Sequence, residues 1–327
     1  MALDVTYTNG VIAARDKFLL KDRISRFAEL SAEEAFRALV ESGFGGGETA
    51  ANVYDYEKLV AAEERLLDEF ILEYAPSDAE RAYFLSPRDF HNLKALLKAA
   101  HLNESAEKML APDGEIPAKE LEKMVKDGDF SPLAQRNPEL YGAAKEATAL
   151  FESENVSGAE IGAVFEKANA RRQYKAAGKN RTLKKLLEKK IDMINLLTAF
   201  RAGEESIAKS KYLPCGTLGE KTLSGIFAED KETAENALKG TAYDGFVKSC
   251  FAAKSKGLPL TEAEKLLDSF ETEYFFEKRY ELKNKEPFLY YIFRRKTEIA
   301  NIRIVFVCLL AGLKEQDIKR RLRNGGA

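Results

Sequence analysis

An acid followed three residues later by an asparagine recurs three times in this chain: Asp89 with Asn92, Asp192 with Asn195, and Glu298 with Asn301. A carboxylate accepts hydrogen bonds and a side-chain amide both donates and accepts, so each pair could satisfy several backbone groups at once. On a helix this spacing puts both groups on one face. Asparagine is a mediocre helix former and needs a reason to sit in a helix interior. A buried polar junction supplies one, with the Asn side chain bonding the exposed backbone end of a neighbouring helix. Contact with a partner molecule is the alternative.

Other chemistry finds less support. Cys215, Cys250 and Cys308 are scattered without a CxxC pair, and His91 and His101 are the only histidines. That excludes the usual zinc spacings and suits a reducing compartment. Gly43-Phe-Gly-Gly-Gly47 lacks the Gly-Lys-Ser/Thr that would make it a phosphate-cradling loop, and it is expected to end a helix. None of the 53 carboxylates falls into a recognisable set of nucleophile, base and metal, so no catalytic residue, cofactor or metal site is expected. Between Arg171 and Lys190 nine of twenty residues are basic, opposed only by Glu188. Arg171, Arg172, Lys175, Lys179 and Arg181 could steer the chain towards an acidic partner, or form a solvated face. As an RNA-binding patch the stretch has only Tyr174 for stacking. The net charge of −2 also argues against a chain dedicated to nucleic acid.

The elements carrying these residues are helical. Phe90, Leu93, Leu96, Leu97 and Ala100 share one face at helical steps, as do Leu183, Leu187, Ile191 and Ile194. Ser31 with Glu34, Ser157 with Glu160, and Thr261 with Glu264 have the spacing of capping boxes. Most prolines, Pro87 among them, are expected between helices. No run alternates with a period of two, so an all-α fold is expected. The uncharged run Ile304–Leu313 is too short to cross a bilayer and is expected to be a core helix, with Leu309 buried in it. Charges interrupt the first thirty residues, so no secretory signal is expected.

More of the chain repeats. Glu64-Arg-Leu-Leu-Asp68 returns as Glu264-Lys-Leu-Leu-Asp268, 200 residues later. Pro112-Asp-Gly114 through Lys119 and Leu121 returns as Pro214-Cys-Gly216 through Lys221 and Leu223, offset by 102. A length of 327 residues divides naturally into three units of about a hundred, expected near 1–126, 127–228 and 229–327.

The C-terminal run sharpens this. Pro287-Phe-Leu-Tyr-Tyr-Ile-Phe-Arg-Arg-Lys-Thr-Glu298-Ile-Ala-Asn301-Ile-Arg303-Ile, then Leu309-Leu-Ala-Gly312-Leu and Asp317 to Leu322, resembles the C-terminal signature of the C subunits of V/A-type rotary ATPases. The d subunit of V-ATPases is the eukaryotic counterpart. The chain departs from the family where Lys314 follows Gly-Leu in place of proline, and where Leu93-Lys94 follows Asn92. The resemblance implies three similar helical domains around a pseudo-threefold axis, forming a funnel. It also implies a non-catalytic rotor component on the cytoplasmic face of the membrane, seated on the proteolipid ring and holding the foot of the shaft subunits D and F. Neither a transmembrane segment nor an obligate homo-oligomer is implied. A helical-repeat adaptor that binds RNA or protein through residues 171–190 is the competing reading.

Overall fold

A computed structural model of the protein describes residues 4–16, 20, 23–153, 156–178, 180–227, 236, 238–281 and 283–324. Every regular element among them is helical. The helices are α1 (Val5–Arg15), α2 (Arg23–Phe27), α3 (Ala32–Glu41), α4 (Tyr56–Tyr74), α5 (Asp78–Leu102), α6 (Ala118–Asp127), α7 (Leu133–Arg136) and α8 (Pro138–Phe151). They continue as α9 (Gly158–Ala177), α10 (Arg181–Arg201), α11 (Glu205–Lys211), α12 (Glu220–Ser224), α13 (Asp244–Ser255), α14 (Thr261–Phe276), α15 (Glu286–Leu310) and α16 (Glu315–Arg321). Short 3₁₀ turns occur at Val53–Asp55, Glu107–Met109 and Gly225–Phe227.

Local sequence sets many boundaries. Ser31 and Ser157 each cap the N–H of the residue three ahead, while Glu34 and Glu160 reach back, so both halves of each capping box form. Thr261 is the first residue of its helix rather than the residue before it. Gly312 (φ +71°) ends α15: its left-handed conformation lets the Leu313 N–H reach the Cys308 carbonyl at 3.0 Å. Pro87 departs from expectation, because it lies inside α5. A proline there removes the N–H that would bond the carbonyl four residues back. That carbonyl, on Tyr83, instead accepts the side-chain amide of Gln173 at 2.9 Å.

The chain forms two compact units, residues 1–77 with 264–327, and residues 78–263. In the first, α15 packs against α1, α2, α3, α4 and α16. Phe306 stacks on Tyr56 at 5.1 Å and meets Phe36 edge-on at 6.4 Å, and Phe70 stacks on Phe288. Helix α15 ends at Leu310, and no described helix is long and apolar enough to cross a membrane. Leu309, expected to be buried, is partly exposed; Val305 and Phe306 fill the core instead. The loss of about 2–5 kcal/mol that a fully buried leucine gives on truncation therefore does not apply to Leu309.

In the second unit α5, α8 and α9 pack side by side, and α10 packs against α9, α11, α12 and α13. Fully buried Ala143, Ala144 and Ala147 on α8 let the helices approach closely, with Leu93, Leu121, Leu140, Ile161 and Phe165 filling the space between. Both units thus hold the acid-x-x-Asn helices on rigid, close-packed elements: α5 and α10 in the second unit, α15 in the first.

Candidate functional site

The three asparagines make the same contact. The Asn92 amide donates to the Ala111 carbonyl at 3.2 Å, and its Oδ1 accepts the Ala111 N–H at 2.8 Å. Asn195 does the same to Leu213, at 2.9 and 2.8 Å. Asn301 does the same to Arg323, at 2.9 and 2.7 Å. Each clamped residue lies two positions beyond the last residue of a short helical turn, those ending at Met109, Lys211 and Arg321. One buried side chain thus satisfies both backbone groups of a peptide leaving a helix, where no intrahelical partner exists.

The acids one turn earlier diverge. Asp89 accepts the N–H groups of Glu115 at 3.2 Å and Ile116 at 3.1 Å. Asp192 accepts the equivalent pair, Thr217 at 2.7 Å and Leu218 at 2.9 Å, and also the Thr217 hydroxyl and the Tyr243 hydroxyl at 2.7 Å. Burial first, and then the bond to Asp192, push the Tyr243 phenol well above its ordinary range. Both loops pass so close to the acid that only glycine fits. A Cβ on Gly114 would lie 2.2 Å from Asp89 Oδ1, and one on Gly216 would lie 2.4 Å from Asp192 Oδ1. The repeated Pro-x-Gly turn is therefore the cover of the acid.

Glu298 has a cation for a partner. It pairs with Arg295 at 2.6 Å, and Arg295 also bonds Glu63 of α4. Glu63 Oε2 in turn accepts the Gly45 N–H at 2.9 Å. The glycine-rich loop thus gives this backbone donor to an internal carboxylate. Burial opposes the Arg295 charge, but Glu298 and Glu63 outweigh it and raise its pKa above the ordinary value. Nearby, Arg303 bridges Glu57 and Glu64 of α4, each at 3.0 Å. A cavity of about 440 Å³ opens beside the triad, lined by Ser42, Phe44, Glu63, Leu67, Phe70 and Tyr291 among others.

The basic stretch is divided. Arg172 pairs with Glu115 and Lys175 with Glu139, each at 3.0 Å, so both bind within the second unit. Lys184 lies 4.2 Å from the centre of the Tyr174 ring, which occupies the one aromatic of the stretch. Arg171 and Arg181 are exposed and form no ion pair among the described residues. Lys179 lies outside the described residues.

Sequence reasoning missed Tyr243, Arg295, Glu63 and Gln173. Tyr243 meets Asp192 across 51 residues of chain, and Arg295 meets Glu63 across 232. Gly114 and Gly216 carried a signal, since both copies of the turn keep them. Among the described residues no cluster of histidine, cysteine and acid could hold a metal ion.

Thrice-built backbone clamps and glycine-covered carboxylates are joints that fix helices to one another; substrate chemistry needs no such arrangement. Wider comparison adds the lineage of that scaffold. No curated protein gives a significant match. Residues 10–321 match the family model of the ATP synthase (C/AC39) subunit, nearly the whole chain, and the protein belongs to that rotary-ATPase family.

Proposed function

We propose that this chain is the non-catalytic rotor linker of a V/A-type ATPase, joining the shaft subunits D and F to the membrane proteolipid ring and passing torque between them. In this reading it lies on the cytoplasmic face of the membrane and is built from three successive copies of one helical unit, 1–126, 127–228 and 229–327. The observation that carries the reading is the family match over residues 10–321, on a chain whose repeated polar residues serve as joints. Torque transfer demands stiffness and two partner faces. Close packing with satisfied buried polar groups supplies stiffness. Exposed Arg171 and Arg181 are the residues proposed to steer assembly, an effect that weakens with salt. The pairing of Arg172 and Lys175 within the second unit reduces the charge available to RNA.

The test is reconstitution. Membranes carrying the ring but stripped of this chain, mixed with the catalytic head and shaft, should hydrolyse ATP without pumping ions. Adding the chain back should restore pumping. Pumping that is indifferent to the chain, or retention of the chain on RNA at physiological salt, would overturn the reading.

A further inference from the structure

The two glycine-covered carboxylates differ in how well they are satisfied. Asp192 has four donors, two of them hydroxyls that supply bonds beyond the loop backbone. Among the described residues Asp89 has only the two backbone N–H groups, at longer distances, and it is fully buried. The position matching Thr217 is Glu115, so a second carboxylate stands where Asp192 meets a hydroxyl. A buried carboxylate with few donors and a like charge beside it favours its neutral form.

The surrounding charges are few. From the loop, Glu115 faces Asp89 and is itself paired with Arg172 of α9. Asp113 is turned away, accepting the Ala118 N–H at 2.8 Å. On α5 itself, Arg88 donates to the Asp113 carbonyl and His91 bonds the Met109 carbonyl. Burial raises the Asp89 pKa to about 7, with the Glu115 charge adding to it, while the two N–H bonds and Arg172 act in the opposite direction.

We propose that Asp89 is a proton-binding site that adjusts the hold of the 111–117 loop on α5. The ionised carboxylate accepts both the Glu115 and the Ile116 N–H. On protonation one oxygen takes up the proton and gives up its acceptor role. The Ile116 bond is buried and the Glu115 bond only partly so, so the Glu115 N–H is the group released to water. Asn92 keeps Ala111 throughout, because an amide does not titrate. Protonation therefore frees the segment that carries the Glu115–Arg172 bridge to α9, while the start of the loop stays fixed.

The experiment is a pH titration of the intact protein by nuclear magnetic resonance, following the Asp89 carboxyl carbon and the exchange protection of the Glu115 amide. The carboxyl should titrate with a midpoint near neutrality. The Glu115 amide should lose about fivefold in protection on the acid side, the worth of about one hydrogen bond. Glu115→Gln should move the midpoint down, an effect that a purely structural carboxylate lacks. Asp89→Asn should hold Glu115 at the low protection level at every pH. An Asp89 midpoint in the ordinary carboxylate range, or Glu115 protection that does not follow the titration, would overturn the proposal.

Discussion

The acids of the acid-x-x-Asn pairs keep different company in the two compact units. In the second unit Asp89 and Asp192 each hold the backbone of a loop that arrives about twenty-five residues later. In the first, Glu298 joins Arg295 and Glu63 in a buried charge triad between α15 and α4. The asparagine job is unchanged in all three. The comparison separates what the spacing dictates from what the following chain dictates. Two side chains one turn apart face the same way. A nearby peptide end meets the asparagine in each case, but the acid needs a glycine turn to cover it. In the third copy the acid meets Arg295.

The largest expected effect breaks the triad. Arg295→Met leaves Glu63 and Glu298 buried without their cation, and it should cost about 3–5 kcal/mol in urea unfolding. Replacing all three together, with Glu63→Gln and Glu298→Gln added, should cost less than Arg295→Met alone, because no unpaired charge remains. Equal costs would mean that packing, not charge, dominates this region.

Next come the clamps. Asn92→Ala, Asn195→Ala and Asn301→Ala each leave a carbonyl and an N–H without their partner, for about 1–3 kcal/mol each. The comparison predicts similar losses from all three, since the asparagine contact is the same. A near-zero loss at Asn301 alone would show that the third clamp is only superficially alike. Gly216→Ala sharpens the contrast between the acids. Its Cβ must displace the Asp192 carboxylate or move the loop, so about 1–3 kcal/mol should be lost to overpacking. Tyr243 fluorescence or amide shifts near Thr217 would report that displacement directly.

How much of this was legible depends on whether a residue's work leaves a mark on its own type. The asparagines were visible because a polar residue in a helix interior at repeated spacing demands an explanation. Their partners Ala111, Leu213 and Arg323 were not, since only backbone atoms take part and no side chain records them. Gly114 and Gly216 repeat, but a repeated glycine announces a turn and not the carboxylate that fills the space beside it. All-helical character and two of the capping boxes followed from short-range pattern. Pro87 inside α5 did not, because the group that compensates for it, Gln173, lies 90 residues from the Tyr83 carbonyl it satisfies. The charge count of residues 171–190 likewise concealed that Arg172 has a partner at Glu115, 57 residues earlier. Sequence shows a charge, and only the fold shows whether it is already spent.

Arg303 gives the smallest expected effect and a useful limit on the comparison. It lies on the same helix as the third pair and reaches α4, as Arg295 does, but its side chain is 40% exposed. Its guanidinium joins Glu57 and Glu64, two turns apart on α4, so it fixes the register of α15 on that helix. Burial opposes its charge, and the two carboxylates still raise its pKa. Water screens both bridges, so Arg303→Met should cost about 1 kcal/mol or less. The difference from the wild-type chain should shrink further at high salt, whereas the Arg295→Met difference should persist, because buried pairs are screened far less. Measuring both variants at low and high salt therefore tests the division between an exposed tie and a buried one on a single helix. If the Arg295→Met loss also faded with salt, the triad would be solvent-reached, and the division between a buried and an exposed tie on this helix would fall.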